Sequence, residues 1–162
     1  MNVWNDRPVT DEYEAAKAEI DALVAAFFRL FSNREGRKAD LAPIFDLFIP
    51  EGTIIKNIGP EPVIYDLKGF IEPREKLLNS GDLVDFWEQE VSERTDIFGN
   101  IAQRFSLYRK GGIQAGVSFE TLGMKTTQFI RTPKGWRMSS LIWDDCREGL
   151  DIPERYRLMV QS

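Results

Sequence analysis

The chain contains no histidine among its 162 residues and only one cysteine, Cys146. Without histidine, nucleophilic sites of the Ser-His-Asp and Cys-His kinds are excluded, and so are the usual zinc sites. A single cysteine also excludes an intrachain disulfide and a cysteine-rich metal site. Acid–base chemistry is therefore left to Asp, Glu, Lys, Tyr or a water assisted by arginine, and we expect no cofactor and no bound metal.

Long apolar runs and an excess of positive charge are missing as well. The longest apolar run, residues 22–28, is far shorter than the roughly 20 residues that a helix needs to cross a bilayer. The net charge is −5, whereas nucleic acids and anionic membranes are bound by clustered Lys and Arg. The first residues lack the layout of a signal peptide. We expect a cytoplasmic protein that binds neither nucleic acid nor membranes.

Apolar residues recur at helical spacing in the first part of the sequence. Asp11 followed by Glu14 resembles a capping box and predicts the start of a helix. The positions after it that share one apolar face are Tyr13, Ala16, Ile20, Leu23, Val24, Phe27, Leu30 and Phe31. A second, short helix is predicted at 39–48. A third is predicted at 67–78, where Pro73 indicates a kink or two short pieces.

Strand patterns fill most of the remaining sequence. The predicted strands cover residues 52–58, 62–65, 83–98, 101–108, 117–131 and 136–143. Gly111 and Gly112 are expected to end the fourth of them. In the turn before the last strand, Pro133 restricts one backbone angle and Gly135 accepts a left-handed one. Long consecutive strands without intervening helices favour an antiparallel α+β domain, in which a curved sheet carries helices on one face.

We predict a single domain over residues 1–162. Its core covers residues 10–145, and the tail at 146–162 carries a short helix from about Asp151 to Met159.

Two segments resemble the nuclear transport factor 2-like superfamily, especially its SnoaL-like and ketosteroid-isomerase-like members. They are LFIPEGTIIKN, after the second helix, and KGWRMSSLIWDD, at the end of the core. The hairpin DIFGNIAQRFSLY also resembles those of bacterial members without an assigned activity. The resemblance implies a cystatin-like fold, in which a cone-shaped sheet wraps around N-terminal helices. It further implies an apolar pocket and a homodimer, but such folds host unrelated chemistry.

The resemblance also implies candidate catalytic residues. The isomerases of this superfamily carry a catalytic Asp on the first strand, at the position of Lys56 or Asn57 here. A lysine acts as a base when burial lowers its pKa, and an exposed lysine is the alternative. The second acid of those isomerases falls at Thr127 or Gln128, which supply no carboxyl group. Tyr13 resembles their oxyanion-binding tyrosine, and the alternative is a residue that only packs.

Strand alternation predicts further pocket residues. If Trp143 faces inward, so do Leu141 and Ser139, because alternate side chains share a face. Phe27 joins them from the apolar face of the first helix. Gln128 is the polar candidate on the neighbouring strand, whose register is open. A tryptophan that merely fills the core is the alternative for Trp143.

The strand at 83–98 alternates charged and apolar residues. The charged positions predicted to share one face are Glu88, Glu90, Arg94 and Asp96, with Trp87, Val91 and Ile97 on the other. Two carboxylates and an arginine resemble the Asp-Arg-Asp set with which epoxide hydrolases of this superfamily activate water. A half-solvated strand is the simpler interpretation.

Two functions remain open from the sequence. One is an enzyme that isomerises, dehydrates or hydrolyses a small, largely apolar organic molecule without a cofactor. The other is a non-catalytic ligand-binding or dimerisation module, in which the outer face of the sheet pairs two copies. Lys56 or Asp and Glu carboxylates that converge in a closed apolar cavity favour the enzyme. A pocket filled by Phe27, Leu30, Phe105 and Trp143 favours the module.

Overall fold

One six-stranded sheet with its two long helices on one side makes up most of the described chain. The computed structural model describes residues 11–157. Its helices are α1 Asp11–Arg29, α2 Leu67–Leu78 and the short α3 Glu154–Arg157, with 3-10 turns at Arg34–Gly36 and Ala42–Asp46. Its strands are β1 Phe48–Lys56, β2 Val63–Asp66, β3 Leu83–Phe98, β4 Ile101–Gln114, β5 Val117–Thr132 and β6 Gly135–Asp145.

The strands follow the order β2-β1-β6-β5-β4-β3 across the sheet. Neighbouring strands are antiparallel except β1 and β6, which run parallel. The sheet is curved and open, with β2 and β3 at its edges. Helices α1 and α2 cover one face, which we call the inner face. The predicted α+β architecture, a curved sheet around N-terminal helices, is confirmed.

Helix α1 packs on the inner face of the sheet. Acidic residues in its first turn favour the start of the helix, because they interact with the positive end of the helix dipole. Its buried side chains are Ala16, Ile20, Leu23, Val24, Phe27 and Phe28, as the apolar spacing predicts. Buried sheet residues in the same core include Ile54, Phe129, Trp136 and Met138. Each large side chain contributes roughly 1.5–3 kcal/mol on burial, so this contact determines where α1 lies.

The second helix predicted at 39–48 is wrong in kind and length. The structure has a 3-10 helix at Ala42–Asp46, with Pro43 near its start, and β1 begins two residues after it. Leu41 and Ile44 are fully buried and three residues apart. That spacing suits the three-residue turn of a 3-10 helix, which brings both side chains to the core.

Helix α2 is one helix, although Pro73 lies inside it. The helix predicted at 67–78 is therefore confirmed, and the expected division into two pieces is not found. Its start is stabilised by Asp66, whose carboxylate accepts a hydrogen bond of 2.7 Å from the N–H of Gly69.

Strand β4 continues through Gly111 and Gly112, so the predicted break at these residues is wrong. Both glycines remain paired with β5. The Trp87 ring packs over Gly111, where an added β-carbon would lie 2.9 Å from a ring atom. Glycine here permits a close approach, not a turn. The chain turns later, at Ala115-Gly116, where both residues have positive φ angles.

A bulge at Val91 decides which side chains of β3 face inward. Glu90 pairs with Tyr108 and Ser92 pairs with Leu107, which leaves Val91 as the extra residue. Glu88 and Glu90 therefore share the inner face with residues 93, 95 and 97, whereas Arg94 and Asp96 point outward. The predicted common face of Glu88, Glu90, Arg94 and Asp96 is wrong, because one inserted residue reverses the alternation.

A second bulge lies between β5 and β6. Gln128 pairs with Ser140 and Phe129 pairs with Met138, so Ser139 is the extra residue. The prediction that Ser139 shares a face with the inward-facing tryptophan of β6 is therefore wrong.

Helix α3 lies on the opposite side of the sheet, which we call the outer face. The predicted helix from 151 to 159 is found at Glu154–Arg157, and residues 158 and 159 lie outside the described residues. The Tyr156 ring lies 5.0 Å from that of Phe105, and the Ser92 hydroxyl donates a 3.1 Å hydrogen bond to the Tyr156 carbonyl. Within residues 11–157, every helix is too short or too polar to cross a membrane.

Candidate functional site

A cavity of about 110 Å³ lies between α1, α2 and the inner face of the sheet. Its apolar wall consists of Phe27, Phe31, Phe70, Leu77, Leu78, Leu83, Phe86, Leu141 and Trp143. Its charged residues are Arg74, Glu88, Lys110 and Lys125. A cavity of about 150 Å³ holds benzene in another protein, so this one suits a compact molecule. An apolar cavity with a few convergent polar groups is typical of a small-molecule site.

Helical spacing and strand pairing bring these residues together. Phe70, Arg74 and Leu77 lie three or four residues apart, so α2 presents them on one side. Glu88 pairs with Lys110 across β3 and β4, and their side chains therefore share a face. Three strands and a helix thus contribute the charged groups of one cavity.

Lys125 is the most deeply buried charged group of the cavity. Its side chain is 6% exposed, and its Nζ lies 3.5 Å from an oxygen of Glu88. The same nitrogen lies 4.4 Å from the ring centroid of Tyr108 and 5.5 Å from that of Trp143. Burial lowers the pKa of Lys125, and the nearby Glu88 opposes this shift. The amine is therefore held between one carboxylate and several ring faces.

Tyr108 and Lys110 are both tied to Asp145. The Tyr108 hydroxyl donates to one carboxylate oxygen, and the Lys110 Nζ lies 2.8 Å from the other. Burial, and after it the charge of Asp145, raise the pKa of Tyr108 well above its ordinary value. The phenol fits because Gly123 lies opposite it, where a β-carbon would overlap the hydroxyl. These contacts hold the wall beside Lys125 in place.

A second group of charges lies beneath α1, outside the cavity. The Arg104 side chain is 4% exposed, and its nitrogens lie 2.6 Å from Asp21, 2.5 Å from Glu90 and 3.7 Å from Glu93. The Ser106 hydroxyl also donates to Glu90, at 2.7 Å. Burial raises the pKa of Asp21, but hydrogen bonds from Arg104 and Lys17 outweigh it and leave that pKa lowered.

Three of the predicted ligand-binding residues do line the cavity. They are Phe27 from α1 and Leu141 and Trp143 from β6. The cavity side of β6 was predicted from strand alternation, which holds between Leu141 and Trp143 because no bulge separates them.

The other predicted site residues lie elsewhere. The Tyr13 hydroxyl is 3.4 Å from the Thr95 carbonyl, near the far end of α1. Lys56 is half-buried at the end of β1, and Asn57 is exposed, with its N–H donating to the Trp143 carbonyl at 3.1 Å.

Gln128 and Ser139 lie on the outer face of the sheet. Gln128 is exposed and belongs to an outer groove beside Tyr156, and the Ser139 hydroxyl donates to the Gln128 carbonyl at 3.3 Å. The structure thus brings neither of them to the cavity.

Of the charged residues of the cavity, only Glu88 was named from the sequence. Arg74 follows Phe70 by one helical turn, a spacing that indicates a shared side of α2. Glu88 was named in a set with Arg94 and Asp96, either to activate water or on a half-solvated face, because the bulge at Val91 leaves no mark in the sequence. Lys125 shares its face with Thr127 and was hidden by the open register of β5.

Comparison with solved structures identifies the fold. A nuclear transport factor 2-like superfamily protein from Salmonella enterica is 17% identical, with 86% of this chain and 98% of that chain covered and a TM-score of 0.65. A nuclear transport factor 2-like protein with a cystatin-like fold, from Novosphingobium aromaticivorans, is 16% identical, with 93% of this chain and 92% of that chain covered and a TM-score of 0.63. This chain has the nuclear transport factor 2-like, cystatin-like fold.

The same fold is found in a proposed aromatic ring hydroxylase from Novosphingobium aromaticivorans. That protein is 14% identical, with 83% of this chain and 91% of that chain covered and a TM-score of 0.64. Neither a protein-family model nor a curated protein matches this chain. At these identities the likeness shows the fold, and the chemistry has to be argued from the cavity.

Proposed function

We propose that the cavity binds a small, largely apolar organic molecule and that Glu88 moves a proton on it, assisted by Lys125 and without a cofactor. The supporting observation is that a carboxylate and an amine meet 3.5 Å apart on the wall of an apolar cavity. Titratable groups that face each other in such a cleft are typical of catalytic sites. The sequence criterion named Lys56 or converging carboxylates, whereas the cavity has one carboxylate beside a different lysine, and this pair supports an enzyme.

The proposed reaction is an isomerisation through an enolate. The Glu88 carboxylate removes a proton from the carbon beside a carbonyl group of the ligand. The Lys125 ammonium donates a hydrogen bond to the carbonyl oxygen, which gains the negative charge. If the ligand carries a carbon–carbon double bond next to that carbon, Glu88 returns the proton to the far carbon of this bond, so the double bond moves next to the carbonyl and no atom is gained or lost. The aromatic rings around Lys125 favour its charged form while this charge develops.

Deuterium exchange tests this proposal without knowledge of the natural substrate. In deuterated buffer, the protein should speed the exchange of the protons beside the carbonyl of cyclohexanone, as followed by NMR. Lys125→Met and Glu88→Gln should each slow the protein-dependent exchange by about 100-fold. Lys68→Met changes an exposed lysine of α2 and is the matched control. Exchange that is the same in all three variants and the parent would contradict the proposal.

A non-catalytic dimerisation module is the second candidate. The observation that favours it is that apolar side chains are exposed on the outer face, with Phe98 at 73%, Ile101 at 58% and Ile142 at 38% exposure. Exposed apolar patches often mark interfaces, and a second copy of this chain offers the same patch. Native mass spectrometry reports subunit number and co-purified ligand together. A monomer in parent and Ile101→Lys alike would remove this candidate.

A further inference from the structure

The charges of the cavity do not balance. Three cations, Arg74, Lys110 and Lys125, line it together with one carboxylate, Glu88. Lys125 lies 3.5 Å from Glu88, and Lys110 lies 2.8 Å from Asp145, behind the wall. Of these three cations, Arg74 is the one that forms no ion pair with a residue that the structure describes.

Aromatic rings surround Arg74. Its guanidinium carbon lies 4.0 Å from the ring centroid of Phe70, 5.2 Å from that of Trp143 and 5.5 Å from that of Tyr65. Burial lowers the pKa of Arg74, and a hydrogen bond with Tyr65 and the charge of Glu88 oppose the shift. The rings stabilise the charge in part, but the several N–H donors of a guanidinium exceed what one phenol accepts.

A carboxylate is the group that such an arginine fits best. The planar guanidinium forms two parallel hydrogen bonds with a carboxylate, and a partly desolvated arginine gains more from such a pair than an exposed one. The cavity is too small for a large anion. Its wall is largely apolar, with Phe27, Leu141 and Trp143 among its residues. The ligand must therefore combine one anionic group with a compact apolar body.

We propose that Arg74 binds the carboxylate of a small organic acid whose apolar part lies in the cavity. This assignment rests on the proposed function, since it places the ligand beside Glu88 and Lys125. It adds the substrate class: a small acid that carries a carbonyl group, with the carboxylate at Arg74 and the carbonyl at Lys125.

Calorimetric titration with benzoate and with benzamide, its neutral analogue, tests the assignment. Benzoate should bind the parent protein more tightly than benzamide. Arg74→Gln should weaken benzoate binding by about 10- to 100-fold and leave benzamide unchanged, and Arg74→Lys should lie between them. Lys76→Gln removes an exposed positive charge from the same helix and is the matched control. Thermal unfolding checks that each variant is folded.

Several results would overturn the carboxylate assignment. The parent protein could fail to bind benzoate, or could bind benzoate and benzamide equally well. The affinity for benzoate could be unchanged in Arg74→Gln and Arg74→Lys. Inorganic phosphate could bind more tightly than benzoate. Failure of the catalytic proposal looks different, because cyclohexanone exchange would be absent whether or not benzoate binds. If cyclohexanone exchange persists but benzoate does not bind selectively, the proton-transfer proposal stands and the carboxylate-binding role of Arg74 is wrong.

Discussion

Two groups of buried charge share the inner face of the sheet and differ in what surrounds them. The helix-covered cluster consists of Arg104, Asp21, Glu90 and Glu93, and carboxylate and hydroxyl oxygens meet Arg104 on several sides. The cavity cluster consists of Arg74, Glu88, Lys110 and Lys125. There Lys125 has one carboxylate at 3.5 Å, and empty volume adjoins it.

The difference indicates which buried charge serves the fold and which is available to a ligand. A buried cation costs several kcal/mol to desolvate, and surrounding acceptors offset this cost when they are numerous and well placed. Arg104, on β4, meets that condition with acceptor side chains from α1 and β3. The cations of the cavity cluster have fewer acceptors around them, so a ligand can supply the acceptors that are missing.

The largest expected effect is the loss of Arg104. Arg104→Met should lower the free energy of unfolding by about 3 kcal/mol, because it leaves carboxylates beneath α1 without their cation. Denaturant unfolding measures the change. The control is Arg94→Met on the outer face, where a half-exposed pair with Asp96 at 3.7 Å should be worth less than about 0.5 kcal/mol. Equal losses in both variants would break the distinction between the two clusters.

The cavity cluster should respond in the opposite way. Replacing both members of its buried pair, with Lys125→Met and Glu88→Gln together, should leave stability unchanged or raise it by about 1–2 kcal/mol. The same denaturant measurement applies, alongside the exchange of cyclohexanone, which should be lost. A loss of stability as large as that of Arg104→Met would mean that the Lys125 pair serves the fold.

Acid should weaken the helix-covered cluster through Asp21. Its pKa is lowered in the folded protein, so the unfolded chain binds the proton more tightly. Its contribution to stability is therefore present above about pH 4, the ordinary range of Asp, and is lost as the pH falls through the lowered value. At pH 7 Asp21→Asn should cost about 0.5–1 kcal/mol, since this carboxylate is half-exposed. The difference in the free energy of unfolding between parent and Asp21→Asn should disappear in strong acid. A difference that stays constant with pH would contradict this account.

The smallest effect is expected at Tyr13. Tyr13→Phe removes a hydroxyl that lies 3.4 Å from the Thr95 carbonyl, and it should cost less than about 1 kcal/mol of stability. Because Tyr13 does not line the cavity, benzoate affinity and cyclohexanone exchange should stay within twofold of the parent. A tenfold loss of exchange would instead support the oxyanion role that the resemblance implies.

Much of the fold was predictable because its signals are local. The apolar spacing of α1 depends only on the period of a helix, and the turn before β6 depends on Pro133 and on Gly135, which has a φ of 106°. The order of helices and strands then led to the observed fold. The apolar half of the candidate site followed from α1 and from the alternation along β6.

The charged half of the site was not predictable, because one bulge turns Glu88 inward and a second bulge places Trp143 beside Lys125. If β5 and β6 paired without a bulge from the turn at Thr132 and Gly135 onward, Trp143 would pair with Met124. The bulge at Ser139 shifts the register by one, so that Trp143 pairs with Lys125.

By itself, the sequence determined the apolar helix face, the turn chemistry, the order of elements and the absence of histidine chemistry. Only the tertiary structure decided which charges enter the interior. The physical reason is that side chains alternate between the faces of a strand, so one inserted residue reverses every face beyond it. Whether an inward-facing lysine then meets a carboxylate, an aromatic ring or empty volume depends on strands and helices that are distant in the chain.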